Sequence, residues 1–378
     1  MRIVSIVSAR PNFIKLAALH HALKEHAPKW EHIIIHTGQH YDPLLSEIFF
    51  KELNIPEPHE NLGVKGGASN DDTVARTKEA ALPILKKLQP ELVLVYGDVS
   101  GALGGALAAH ELKIPIAHVE AGLRSFDDAM PEEGNRKAID HLSAFLFVTE
   151  QSGMDNLQNE GITKGVHHVG NTMIDTLMRM TTRGTNFEVF MKQKLPSPLE
   201  KLEPRHFGLV TLHRPSNVDN KENLERCIDF MNSVACKECS LIFPVHFRTQ
   251  AAIQRFGLQS KFLEYIRRID PLGYLPFIKL MIRSKFVITD SGGIQEETAF
   301  LGIKCFTLRR NTERPITLKY GNQLVNLNDE KDKKSIITYA RVPVSNVPKA
   351  WSLETTLGFG GGHAGEEIVK ELSKIPIH

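Results

Sequence analysis

The sequence predicts an α/β protein of two doubly wound domains, each built on a parallel sheet. Three observations carry that prediction. Short β-rich apolar runs alternate with stretches of apolar residues at helical spacing along almost the whole chain, and such alternation builds parallel sheets with helices on both faces. The alternation halts once, around residues 170–186, after five or six strand–helix units; a polar, charged, proline-containing stretch at 181–205 then precedes a new series. The 378 residues suffice for two domains of ordinary size. On this reading residues 1–172 form an N-terminal domain and residues 173–362 a C-terminal domain. The last segment, 363–378, carries a helix that completes the first domain, with Gly360, Gly361 and Gly362 letting the chain turn back.

The elements follow in order. IVSIVSA is a strand, residues 13–25 a helix, HIIIHTG a strand and residues 73–88 a helix. LVLVYGD, IPIAHVEA and FLFVTE are the remaining strands of the first half. In the second half GLVTLH, SLIFPVH, KFVITD and KCFTLRR read as strands, with a helix over 223–235. Residues 342–348 read as an irregular surface loop. In such sheets ligands bind beyond the carboxyl ends of the strands. Arg10, Gln39, Asp98, Glu120, His213, His246 and Ser291 all fall at those ends.

Composition narrows the function. Hydrophobic content of 42% and charged content of 24% are those of a soluble globular protein, and a net charge of +2 gives no electrostatic case for nucleic acid or a membrane surface as partner. No apolar run approaches the ~18–20 residues of a membrane span. MRIVSIVSARP reads as a strand and turn rather than a signal peptide, which points to the cytoplasm. Of the four cysteines, Cys236 and Cys239 form a Cys-x-x-Cys, but zinc usually needs four ligands and no second pair exists. The pair reads as cysteines at a helix end ahead of a buried strand, and no metal site is expected.

The most informative stretch is KFVITDSGGIQEETAFLGIKCFTLRRNTERP. A strand ends at Asp290, Ser291, Gly292 and Gly293 make a turn, and a helical run begins at Ile294. Free amides at a helix start, with the positive end of its dipole, favour a phosphate or pyrophosphate. Glu296 and Glu297 suit sugar hydroxyls, and Arg314 downstream offers charge to the same anion, so the segment reads as a nucleotide site. In the first half Arg10 and Lys15 are candidates for a phosphate or carboxylate. Asp98 and Glu120 end neighbouring strands, and Glu132 would complete a three-carboxylate cluster for proton transfer. Asp98 also reads as a helix N-cap, and Glu132 as an acid favoured at a helix start. His213 and Arg214 suit leaving-group stabilisation, and His246 occupies a similar strand-end position.

SARPNFIK, HTGQHYD, the Gly-Asp at 97–98, HVEAGLRSF, MPEE-x-NR, VGNTMIDTL, TLHRPSN, FPVH, DPLGYLPF, DSGGIQEET and NTERPIT, in this order over residues 1 to about 325, resemble the non-hydrolysing UDP-N-acetylglucosamine 2-epimerases. The resemblance implies a glycosyltransferase-B fold of two Rossmann-like domains with UDP in the interdomain cleft. It implies interconversion of UDP-N-acetylglucosamine and UDP-N-acetylmannosamine, for cell-surface polysaccharide precursors. UDP is eliminated to give 2-acetamidoglucal and then adds back. No nicotinamide cofactor or metal is implied, and a homodimer is. Carried over by motif, Asp98, Glu120 and Glu132 are the acid–base candidates and His213 assists the leaving diphosphate. Arg10, Lys15, Arg136, Arg214, Ser291, Gly292, Gly293 and Arg314 join the UDP-sugar contacts. Glu296 and Glu297 would take the ribose, with Glu297 favoured, and a loop from Tyr274 to Phe277 would meet uracil. Gln39, His40 and His246 match part of an allosteric site for a second substrate molecule.

The chain departs from the family pattern at Ser100, Gly101 and Ala102, at Gly134, at Phe247 and over 328–362, where residues 360–362 replace a usual Trp-Asp-Gly. These departures bear on the sugar. Alternatives are therefore a 2-epimerase for another UDP-sugar such as a diacetamido-uronic acid, a hydrolysing epimerase, a glycosyltransferase on the same fold, or a non-catalytic UDP-sugar binding protein.

Overall fold

The computed structural model describes residues 1–38, 43–65, 69–181, 190, 192, 194–197, 199–347 and 360–374, without the side chains of 43–47. The chain divides into two compact units, Met1–Gly184 with Thr356–His378, and Thr185–Thr355.

The described residues of the first unit hold a seven-stranded parallel sheet. Its strands are β1 (Arg2–Val7), β2 (Glu31–His36), β3 (Glu60–Asn61), β4 (Leu92–Tyr96), β5 (Ile116–Ala121), β6 (Phe145–Val148) and β7 (Val166–His168), in the order β3-β2-β1-β4-β5-β6-β7. β4 and β5 are buried along their whole length, as expected of parallel strands covered on both faces. Ile6 pairs with Val95, and Val95 with His118. That register brings the carboxyl ends of β1, β4 and β5 level with one another.

Small residues let the helix Ser100–Glu111 lie close to its neighbours. A Cβ on Gly101 would sit 2.1 Å from Ser8 Oγ, and one on Gly105 2.7 Å from Ile6 Cδ1. The departure at Gly101 is thus a close approach of helix to strand end. Gly134 has open space around it, so a larger residue would fit there without a clash.

The helix Ala364–Leu372 packs on the helices Arg10–His26 and Thr172–Thr181 of the same unit. Gly360, Gly361 and Gly362 all have positive φ ahead of it, a backbone that glycine adopts cheaply. The Gly365 amide donates to Asp175 Oδ2 at 2.7 Å, and Ile368, Val369 and Leu372 are buried.

In the second unit the described residues hold a six-stranded parallel sheet of β8 (Phe207–Thr211), β9 (Ser240–Pro244), β10 (Ile266–Ile269), β11 (Phe286–Thr289), β12 (Lys304–Thr307) and β13 (Asn322–Leu324). Its order, β10-β9-β8-β11-β12-β13, repeats the permutation of the first six strands of the other sheet. Phe286 and Phe306 meet edge-on with centroids 5.8 Å apart, and Tyr339 closes on both. Such aromatic pairs add to the free energy of burial. Cys236 and Cys239 form an isolated antiparallel bridge between the helix Lys221–Val234 and β9, both as free thiols.

Candidate active site

In the first unit the groups of interest gather at the carboxyl ends of β1, β4 and β5. Lys15, on the helix Arg10–His26, places its Nζ 2.8 Å from Glu120 Oε2, with both side chains buried. Glu120 has φ +74° and sits where the β5–β6 register shifts, between Val119 and Ala121. That left-handed backbone costs a non-glycine residue about 1–3 kcal/mol, and such strain clusters at functional sites. Gly97 makes room for the ion pair. It too has positive φ, and a Cβ there would lie 2.9 Å from Lys15 Nζ.

Asp98 is no helix cap. Val99 occupies the N-cap position of the next helix, while Asp98 forms an ion pair with Arg136 Nη2. Arg136 also reaches Glu133 Oε2 at 2.7 Å, and Glu133 accepts from the amides of Ser125 and Phe126. Asn135 Nδ2 donates to Asp98 O at 2.9 Å. Arg136 therefore joins Asp98 to the start of the helix Pro131–Leu142. Glu132 lies half-buried in that first turn beside Glu133. Arg10 begins its helix and stands over the Phe49 ring, 5.7 Å from its centroid.

The second unit assembles its own cluster at the ends of β8, β9, β11 and β12. Asp290 is fully buried and accepts from the amides of His213 at 3.1 Å and Arg214 at 2.9 Å and from Asn217 Nδ2 at 3.0 Å. His213 Nδ1 lies 3.1 Å from the same carboxylate. Burial alone would raise the Asp290 pKa, but the His213 charge and these donors overrule it and hold it down at about 2. Ser291 is the N-cap of the helix Gly292–Phe300, with no side-chain bond of its own to the first turn. The helix starts at Gly292 rather than Ile294, so both glycines lie in its first turn.

Gly292 lets Arg314 lie against that turn, since a Cβ there would be 2.4 Å from Arg314 Nη1. Arg314 Nε is 2.9 Å from Glu296 Oε2. Glu313 pairs with Arg314 and with Arg309, the latter at 2.7 Å. Burial works against its charge, yet these arginines hold Glu313 well below the usual carboxylate range. Glu297 goes the other way. Burial pushes it up to about 8, against the lowering effect of the Tyr274 hydroxyl, with the Glu296 charge adding to the rise. Tyr274 and Phe277 lie in the first turn of the helix Tyr274–Arg283, which corrects the expected loop: Tyr274, Leu275, Ile278 and Met281 are buried at helical spacing, with Phe277 half-buried.

His246 caps the helix Phe247–Arg255, accepting from the Arg248 amide at 3.2 Å. Its ring lies 5.4 Å from that of His213, so a residue expected at a regulatory site neighbours the diphosphate candidate. Gln39 and His40 lie outside the described residues. Sequence reasoning passed over Glu133, Asn135, Gln295, Arg309 and Glu313. Gln295, for instance, accepts from Thr312 at 2.7 Å and from Asn322 at 3.0 Å. Gln295 and Asn135 are made internal by partners distant in sequence, which no local periodicity signals, whereas Glu133, Arg309 and Glu313 also pair with near neighbours in the chain. The described residues contain no group of three or more His, Cys, Asp or Glu side chains arranged to hold a metal ion. No helix among them is long and apolar enough to cross a membrane.

The UDP-N-acetylglucosamine 2-epimerase family model matches residues 21–373. A UDP-N-acetylglucosamine 2-epimerase homolog of Methanococcus maripaludis is 41% identical over 99% of this chain and 100% of its own. The UDP-2,3-diacetamido-2,3-dideoxy-D-glucuronate 2-epimerase of Pseudomonas aeruginosa is 38% identical, with the same coverage. Among solved structures, the Methanocaldococcus jannaschii UDP-GlcNAc 2-epimerase in complex with UDP-GlcNAc and UDP superposes with a TM-score of 0.87, at 36% identity and 99% coverage of each chain.

Proposed function

This chain belongs to the UDP-N-acetylglucosamine 2-epimerase family, and on that premise we propose that it interconverts UDP-N-acetylglucosamine and UDP-N-acetylmannosamine without hydrolysing them. A base takes the proton from carbon 2 as the bond from carbon 1 to the UDP oxygen breaks. The C–H electron pair becomes the double bond of 2-acetamidoglucal. UDP then adds back at carbon 1, and carbon 2 takes a proton on its other face. The cycle consumes no water and no redox equivalent. It needs one base, one acid, and a firm hold on UDP throughout.

The residues divide along those needs. Asp98, Glu120 and Glu132 serve the proton transfers, and Lys15 and Arg136 balance the charge of the first two. The amides at Ser291, Gly292 and Gly293 hold the diphosphate, with His213, Arg214 and Arg314 as cationic support. Glu297 takes the ribose hydroxyls, and Tyr274 and Phe277 border the nucleoside. The observation that carries the reading is Glu120: a buried carboxylate on a strained backbone, paired with Lys15 at 2.8 Å.

Incubation with UDP-N-acetylglucosamine in deuterated water tests it by NMR. The expected result is deuterium at carbon 2 and the manno isomer with UDP still attached. Free N-acetylmannosamine would mark a hydrolase, and an unaltered sugar would remove this substrate. The 38% identity to a diacetamido-glucuronate 2-epimerase favours one second reading. The same experiment with that UDP-sugar decides between the two.

A further inference from the structure

His118 lies on β5, two residues before Glu120, and its side chain is fully buried. Its Nδ1 stands 2.6 Å from Asp140 Oδ1 and its Nε2 2.9 Å from the Gly97 carbonyl oxygen. A carboxylate and a carbonyl only accept, so both contacts are hydrogen bonds only if both ring nitrogens carry protons. The surroundings suit a cation. Arg124 Nη2 lies 2.8 Å from Asp140 Oδ2 and pairs with Glu160. Glu160 is partly exposed, and counted with it a charged His118 makes two cations against two carboxylates.

The cluster grips the backbone on either side of the two carboxylates assigned to proton transfer. Gly97, whose carbonyl His118 holds, directly precedes Asp98. The Gly122 amide donates to Asp140 Oδ2 at 3.2 Å, just past the Glu120 bulge. We propose that His118 carries a proton on each ring nitrogen and, with Asp140, forms a positioning pair that sets the Asp98 turn and the backbone after Glu120 relative to each other. This rests on the assignment of Asp98 and Glu120 as acid–base groups, and it adds a residue that touches neither the substrate nor those carboxylates.

Neutron diffraction from the deuterated wild-type protein reads the charge without any variant: deuterium on both Nδ1 and Nε2 is expected, and a single deuteron overturns the proposal. The positioning role is read from His118→Gln, whose neutral amide offers no second donor in the same geometry. Its kcat should fall about 10²-fold, the cost of misplacing a catalytic group by about 1 Å, with KM and UDP affinity unchanged. The double variant His118→Gln/Asp140→Asn, which restores a neutral hydrogen-bonded chain, should recover part of that loss. An unchanged kcat, or equal losses in kcat and UDP affinity, overturns the positioning role. If the wild-type protein epimerises no UDP-sugar, the functional assignment fails while the neutron result still decides the charge.

Discussion

Asp98 and Glu120 in the first unit pair with side-chain cations, Arg136 and Lys15. Asp290 in the second is gripped by two backbone amides and an asparagine as well as by His213. The difference is one of what can move. A side-chain ion pair exchanges partners when a substrate arrives, at little cost to the chain. A carboxylate bonded to successive backbone amides cannot let go without reshaping the turn that carries His213 and Arg214. The first cluster is thus suited to moving protons and the second to holding an anion still.

The sharpest test of that contrast is Glu120→Gln. It should lower kcat about 10³-fold, in the range of acid–base loss, and abolish exchange at carbon 2 while leaving UDP affinity, measured by calorimetry, as it was. Normal turnover would remove Glu120 from the chemistry. Asp290→Ala should do the reverse in kind. By stranding buried donors it should cost about 3 kcal/mol in denaturant unfolding and weaken UDP binding along with turnover. Because its pKa is depressed to about 2, the stability Asp290 supplies is complete above its ordinary 3.8 and lost as pH falls through about 2. A Asp290→Ala protein with wild-type stability would break the comparison.

Glu297 sharpens it from within the second unit, since it is as buried as Asp290 and shifted the opposite way. Its contribution is complete below 4.5 and is lost as pH rises through about 8. Wild-type stability should therefore fall relative to Glu297→Gln across that window, by on the order of 5 kcal/mol. Parallel pH profiles would show that Glu297 is ionised in the folded protein. The smallest effect belongs to Cys236 and Cys239: a metal chelator should change neither Tm nor turnover, and a drop in Tm would reveal a structural metal.

The interior strands were legible in the sequence. The apolar runs at β1, β2, β4, β5 and β6, and at β8, β9, β11 and β12, announce themselves because parallel strands buried on both faces must be apolar throughout. The four edge strands, β3, β7, β10 and β13, did not. They are two to four residues long and mostly half-buried or exposed, as in Glu60–Asn61, so they lack the run that marks the others. The candidate site was legible as far as position goes: Asp98 follows β4 and Glu120 lies near the end of β5, as the apolar runs before them imply. Its supports were not. Nothing local in MPEEGNRK says that Arg136 pairs with Asp98, or that Glu133 binds amides at Ser125 and Phe126. Those partnerships exist only once β4, β5 and a helix are side by side.

The helix Ala364–Leu372 belongs to the unit that the chain begins. Its buried face packs on the helix carrying Lys15, and the Gly365 amide ties it to Asp175 on the helix Thr172–Thr181. During synthesis Lys15 leaves the ribosome well before the surface that steadies its helix is translated. The first unit must wait, with an apolar stripe uncovered, while the whole second unit is made. A protein arranged this way ties the competence of its earlier-made cluster to a helix that follows the second unit in the chain. A chain truncated after residue 347 should expose the face of the helix Arg10–His26 to chaperones rather than yield a half-working enzyme.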